Sequence, residues 1–276
     1  METWRLIIDD AAEGAVNMGV DRALLLSHEA GDGPPTLRLY RWARPTVSLG
    51  RFQDLADVDH GYCAEHGIGI CRRPTGGRGV LHDDELTYSV VAGVRDGLPR
   101  GVAASYRMLC GGLVQAFRNL GIDAELTSRS RGARGAGACY LHATAADLSL
   151  GAAKLSGSAQ VWSRESCLQH GSFVLSRDVA REAAVFRLDA AAAEALAAST
   201  RTITDASGSR PEDAALIAAV RSGFESALGV SLQPGALSPE ECAAAAESAA
   251  EARPGAPGTS TQTSSGGGVS VDVESR

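Results

Sequence analysis

The chain is almost without lysine. Lysine and arginine together number 26, and every one but Lys154 is arginine. That excludes a surface on which the two cations are interchangeable, and it isolates one position. Lysine offers a compact ammonium on a flexible stem, whereas arginine offers a broad planar fork that stays charged. Lys154 is therefore either a residue left by drift on a solvated loop or a position that needs a point charge. Other absences narrow the field. No run of 18 uncharged apolar residues occurs, so no membrane-spanning helix is expected. The opening METWRLIIDD has no basic stretch followed by an apolar one, which argues against a secretory leader and for the cytoplasm. No basic block of the kind that neutralises nucleic-acid phosphates is present. There is no Cys-x-x-Cys, no Walker loop and no internal repeat.

What remains is an ordinary soluble composition, 44 % hydrophobic and 21 % charged. A chain of 276 residues buries a core without covalent staples. The net charge of −7 is uneven, because ten acidic residues face four basic ones from Thr204 onward. The front of the chain is near neutral, and its arginines are free to form a local positive face. Six cysteines in a cytosolic chain read as thiols, with Cys63, Cys110 and Cys167 as small buried apolar residues. The Cys-x-x-His spacings at Cys63/His66, Cys139/His142 and Cys167/His170 invite a zinc reading. The pairs are far apart in sequence, and no metal is expected.

Apolar Val16, Val20, Ala23 and Leu24 share one face of a helix over AVNMGVDRALLLSHEA. TLRLYRW and TVSLGRF read as strands, followed by a short helix over DVDHGYCAEHG. IGICRRP is a strand ending at Pro74, and GVLHDDELTYSVVAG continues as strand. GVAASYRMLCGGLVQAFRNLG is helical, with Gly121 as its C-terminal stop. KLSGSAQVW and CLQHGSFVL form an antiparallel pair. Residues 181–198, PEDAALIAAVRSGFESALG (Pro211 near its first turn) and SPEECAAAAESAAE are helices. Strands concentrate in the first two thirds with helices around them, which is an α+β pattern around a mixed or mostly antiparallel sheet. One domain over 1–252 and a low-complexity, disordered tail over 253–276 are expected.

Two stretches carry chemistry. In RRPTGGRGVLHD, residues 72–83, paired glycines let the backbone approach a ligand, and Arg73 and Arg78 could grip a phosphate or carboxylate. The alternative is a tight hairpin with solvated arginines. The second is the pair Cys139 and Lys154, fifteen residues apart across a Gly-containing turn, with an Arg/Gly-rich loop just before Cys139. If Leu148–Leu150 forms a short strand, the return strand KLSGSAQ brings Lys154 back toward Cys139. An ammonium beside a thiol favours the thiolate, the nucleophile that attacks thioesters. The alternative is a buried thiol and a solvated lysine.

RRPTGGRGVLHDDELTYSV and KLSGSAQVW…LQHGSFVL resemble the two signature segments of the biotin/lipoate A/B protein ligase family. NMGVDRALL and TVSLGRFQDLADVD resemble its opening helix and second strand region, so the likeness covers about residues 3 to 250. The resemblance implies an α+β fold of the class II synthetase-like biotinyl/lipoyl transferase type, a mixed sheet packed by helices. It is nearest to the cysteine-dependent octanoyltransferase branch. That branch moves an octanoyl group from acyl carrier protein to a lysine of a lipoyl domain, such as the glycine cleavage H protein. On this reading Cys139 carries the acyl group, and Lys154 activates the thiol and binds the acyl carbonyl. Gly157, Ser158 and Gln160 line the site. Arg73, Gly76, Gly77 and His82 shape its mouth, and Arg78 and His170 complete the substrate-binding set. No cofactor is required, and a cytoplasmic monomer is expected. The rivals are an octanoyl amidotransferase between lipoyl domains, an ATP-dependent lipoate–protein ligase, and a non-catalytic acyl- or biotin-binding regulator.

Overall fold

In the computed structural model, residues 1–126 and 147–254 are described. Cys139, His142, Arg129, Arg131, Arg134 and the tail from 255 onward lie outside the described residues. In chain order the structure runs β1 Glu2–Ile8, α1 Gly14–Ala30, β2 Thr36–Tyr40, β3 Thr46–Leu49, α2 His60–Glu65 and β4 Gly69–Arg72. Next come β5 Val80–His82, β6 Glu85–Gly93, α3 Val102–Asn119 and β7 Glu125–Leu126. Then follow β8 Leu148–Leu150, β9 Ala153–Ser156, β10 Ser158–Ser163 and β11 Ser166–Val174. The remaining elements are α4 Val179–Val185, α5 Ala190–Ser199, α6 Ile203–Ser207, α7 Asp213–Leu228, β12 Val230–Pro234 and α8 Pro239–Glu251.

The main sheet has the order β10-β11-β6-β2-β1-β12. Its first four strands pair antiparallel, while β2, β1 and β12 run parallel, so the sheet is mixed as expected. Every residue of β6 is buried because helices cover both faces of the sheet. On one face α3 and α7 bring Leu109, Leu113, Phe117, Leu216, Val220 and Phe224 onto Leu37, Leu39, Tyr88 and Val90. On the other, α1 and α8 pack Val20, Ala23, Leu24 and Ala245 against Ile7, Val91 and Leu168. Each helix pair meets backbone to backbone at a glycine. A Cβ at Gly19 would lie 2.5 Å from the Ala245 carbonyl oxygen, and one at Gly223 would lie 2.6 Å from the Ala116 nitrogen. Two smaller sheets, β4-β3-β5 and β7-β8-β9, sit beside the main one.

Several local expectations need correction. GVLHDDELTYSVVAG is two strands in different sheets, parted at Asp83-Asp84. Residues 181–198 are two helices, because the chain turns at Arg187 with φ 50°. Pro211 precedes the cap residue Glu212 and so lies outside α7. Val16 is 44 % exposed, since the buried face of α1 includes Asn17, Asp21 and His28 beside its apolar residues. Strands β1 and β12 were not expected; they pair with each other from opposite ends of the described chain. Gly121 takes the left-handed conformation at φ 77° just past α3, as expected. Cys63, Cys110 and Cys167 are buried, and burial pushes the Cys110 and Cys167 thiols up to about 12. Among the described residues no helix is long and apolar enough to cross a membrane.

Candidate active site

The glycine loop after β4 is built by the two arginines that open it. Arg72 faces the loop after β3 and donates to the carbonyls of Gly50 at 2.7 Å and Gln53 at 2.8 Å. Arg73 is 5 % exposed and faces the glycine loop itself. It donates to the carbonyls of Ser48 at 2.8 Å, Gly76 at 2.8 Å and Arg78 at 2.7 Å. The two loops touch: the Arg51 nitrogen donates to the Thr75 carbonyl at 2.8 Å, and a Cβ at Gly50 would lie 1.9 Å from the Gly77 carbonyl oxygen. Gly77 has φ 94°, which a side chain rarely permits. Arg73 was expected to help shape the mouth of the site, either by gripping an anion or within a tight hairpin; its N–H groups are aimed at the loop carbonyls and hydroxyls. Arg78 is half-buried on the same loop.

Beneath the loop lie two histidines that the sequence had marked. His170 on β11 has Nδ1 3.0 Å from Asp21 Oδ2 and Nε2 2.7 Å from Thr75 Oγ1. Asp21 on α1 also accepts from Arg38 at 2.9 Å, Tyr40 at 3.0 Å and Ser89 at 2.8 Å. Burial pushes the Asp21 carboxyl up, but the His170 and Ser89 hydrogen bonds and the Arg38 charge hold it below the ordinary value. Burial pushes His170 down, assisted by the Arg73 and His82 charges and opposed by Asp21. His82 on β5 has Nδ1 2.8 Å from Glu85 Oε1 and Nε2 2.8 Å from Ser48 Oγ. Its ring stacks on Trp42 at 4.0 Å. Glu85 further accepts from Thr87 at 2.5 Å and Ser172 at 2.7 Å. Both histidines are held by the protein through both ring nitrogens.

Lys154 is 3 % exposed, so it is not on a solvated loop. Strand β8 forms, β9 returns beside it, and Lys154 pairs with Ser149. The ammonium is 3.0 Å from Asp147 Oδ2, itself buried. A Cβ at Gly157 would lie 3.1 Å from Lys154 Nζ, so a side chain there would crowd the ammonium. Two residues beyond Lys154, Ser156 donates to the Ser172 carbonyl at 2.7 Å, which ties the lysine strand to the Glu85 end of the histidine cluster. Ser158 lies 2.7 Å from the Tyr88 hydroxyl, and Gln160 donates to Gln169 at 3.1 Å and accepts from Ser105 at 3.2 Å. These two sit on β10, the half-exposed edge strand.

The sequence reading missed Asp21, Ser48, Thr75, Glu85 and Asp147. Asp21 had a signal: it lies four residues after Asn17 on the buried side of an amphipathic helix. Thr75 stood inside the glycine motif. The zinc spacings do not converge. His66 bonds the Tyr62 carbonyl at 3.0 Å and Cys63 is in the core, while Cys167 and His170 face different surroundings. Among the described residues no group of His, Cys, Asp or Glu could hold a metal.

The lipoyl protein ligase A/B catalytic domain family matches residues 13–225. Octanoyltransferase LipM of Kyrpidia tusciae is 40 % identical over 259 residues, covering 87 % of this chain and 93 % of its own. Octanoyltransferase LipM of Symbiobacterium thermophilum is 40 % identical over 255 residues, covering 87 % and 92 %. Among solved structures, a lipoate-protein ligase A bound with ATP superposes with a TM-score of 0.75 at 25 % identity, covering 90 % of this chain and 94 % of that one. The bipartite lipoate protein ligase of Thermoplasma acidophilum, studied with its E2 lipoyl domain, is alike in fold, with a TM-score of 0.74 at 24 % identity over 90 % and 92 % of the chains.

Proposed function

The chain belongs to the lipoyl protein ligase A/B catalytic domain family, and we propose that it moves an octanoyl group from acyl carrier protein to a lysine of a lipoyl domain through an acyl-cysteine. Octanoyl transfer in protein lipoylation is the activity its octanoyltransferase relatives support along most of the chain. The observation that carries the finer reading is Lys154. A lone lysine, buried and ion-paired beside the glycine loop's network, is costly unless its charge serves the site.

The Cys139 thiolate attacks the thioester carbonyl of the carrier. The carbon–sulfur bond to the carrier breaks, and the carrier thiol leaves with a proton. The amine of the acceptor lysine then attacks the acyl-cysteine, forms the amide and returns the Cys139 sulfur, while the surplus amine proton passes to solvent. Lys154 stabilises the thiolate before attack and donates a hydrogen bond to the oxyanion in each step. The acceptor is a lipoyl-domain protein such as the glycine cleavage H protein. The enzyme works as a cytoplasmic monomer through one catalytic domain over 1–252. The likeness to a ligase bound with ATP favours an ATP-dependent lipoate ligase as the second reading.

The test is an intact mass after incubation with octanoyl-carrier protein, with and without ATP. An octanoyl adduct without ATP, absent in Cys139→Ala, is expected. An adduct that survives this substitution, or transfer that requires ATP and free acid, overturns the reading.

A further inference from the structure

The two histidine arrangements are one continuous structure, and Arg73 is its centre. Arg73 Nε donates to Thr75 Oγ1 at 3.1 Å, and Arg73 NH1 donates to Ser48 Oγ at 3.2 Å. Guanidinium nitrogens carry only donors, and a hydroxyl has a single proton to give. Each hydroxyl accepts from Arg73 with one lone pair and, where the facing ring is neutral with its proton on the carboxylate side, gives its own proton to Nε2, Thr75 to His170 and Ser48 to His82. A ring that accepts at Nε2 carries its proton on Nδ1. Both Nδ1 atoms face carboxylates, Asp21 and Glu85. The chain of donors thus runs outward in both directions: guanidinium, hydroxyl, imidazole, carboxylate.

We propose that this two-armed chain is the device that sets the shape of the glycine loop for acyl transfer. Ser48, Thr75, Arg73, His82 and His170 are its positioning residues, and both histidines are neutral Nδ1–H tautomers. The proposal rests on the octanoyl-transfer reading for its kinetic consequence and not for its structural one. The N–H groups that meet the two hydroxyls belong to the same rigid plane that holds the Gly76 and Arg78 carbonyls. Loss of one hydroxyl lets that plane tilt, and the loop backbone follows. The arms also reach the lysine strand, because Glu85 accepts from Ser172, whose carbonyl takes the Ser156 hydroxyl. Charge balances along the chain: a cation at the centre, an anion at each end, and Arg38 at 2.9 Å closing the Asp21 end. A proton added to either imidazole would place a second cation between Arg73 and its neighbour.

The consequence is coupling between histidines on different strands that do not bond each other. Nitrogen-15 NMR of the histidine rings in the full chain at pH 7 should show His82 and His170 as neutral Nδ1–H forms. Thr75→Val, which keeps the shape and removes the hydroxyl, should move the Nε2 resonance of His170 and also that of His82 in the other arm. With octanoyl-carrier protein as donor it should lower kcat/KM by about 10²-fold, the usual effect of an ångström-scale misplacement. Thr75→Ser, which restores the hydroxyl, should recover both the resonances and the rate. Imidazolium signals, an unmoved His82 in Thr75→Val, or wild-type kcat/KM in Thr75→Val would each overturn the proposal. If the wild type transfers nothing from the carrier, the proposed reaction fails instead, and the ring resonances still decide the network.

Discussion

Two regions of this protein contain the same three chemical groups and use them differently. At the glycine loop, His170 joins Asp21 to Thr75. At the other end of the same helix and strand, where α1 ends and β11 begins, His28 joins Asp96 at 2.7 Å to Ser166 at 2.8 Å. Both imidazoles are buried, at 5 % and 1 % exposure. The remote set links α1, the turn before α3 and the first residue of β11, so it fastens three elements. In the loop set the hydroxyl also accepts from Arg73, whose other donors hold the backbone of the glycine loop. A carboxylate, an imidazole and a hydroxyl in line therefore do not define a site. What the hydroxyl is attached to decides whether the arrangement staples elements together or holds the glycine loop.

The largest effect that separates the regions is at the lysine. Lys154→Arg should lower octanoyl transfer by about 10²–10⁴-fold, the range of a positioned acid–base or charge-stabilising group. The wider fork cannot occupy the space between Asp147 and the Gly157 backbone. His28→Gln, on the remote side, should leave kcat/KM within error of wild type. Equal losses in both variants would mean that the two regions are not functionally distinct.

Much of the site was readable because its signals are local. The glycine pair, the flanking arginines and the lone lysine lie in short stretches whose composition departs from the rest of the chain. The antiparallel pairing of β10 with β11 was readable, and β8 from its place before the lysine, but KLSGSAQVW is not one strand: the chain breaks at Gly157 into β9 and β10 of different sheets. The partners of Arg73 were not readable because most are carbonyls, which sequence does not advertise, and the Ser48 carbonyl lies 25 residues away. Asp21 and His28 were hidden on a helix face judged by its apolar period, since buried polar residues keep that period while contradicting its meaning. The register of β1 against β12 pairs Glu2 with Val230, a contact that nothing in either segment encodes alone.

Stability should divide the regions in the second rank. Asp21→Asn removes the charge that pairs with Arg38 and accepts the His170 hydrogen bond in the interior, and breaking a buried pair costs about 3–5 kcal/mol. His28→Gln leaves Asp96 with its Gly93 nitrogen bond at 2.7 Å and should cost about 1–3 kcal/mol. Urea unfolding of both variants checks the order. A reversed order would make the remote staple the stronger of the two and undo the view of Asp21 as the hub.

The smallest effect is the dependence of stability on pH. His170 faces Asp21 from α1, Arg73 from the glycine loop and His82 from β5, and burial leads the causes that hold it below its ordinary value of 6.5. The unfolded chain therefore takes this proton first as pH falls. The His170 contribution to stability is complete above about pH 6.5 and declines below it, by at most about 1.4 kcal/mol per pH unit for one proton. Asp96 faces His28 from α1 and Arg95 beside it. Burial pushes its carboxyl up, but the His28 and Gly93 hydrogen bonds prevail and hold it below 3.8. Its contribution is present above that value and is lost only as pH falls through the still lower folded one. Acid should thus loosen the site arm before the remote staple. Urea midpoints from pH 7 to pH 3 should show His170→Gln flattening the decline between 6.5 and 5, and Asp96→Asn flattening only the part below 4. If His170→Gln tracks the wild type down to pH 5, the imidazole under the glycine loop is not held neutral by its burial. The direction assigned to its hydrogen bond with Thr75 would then have to be reversed.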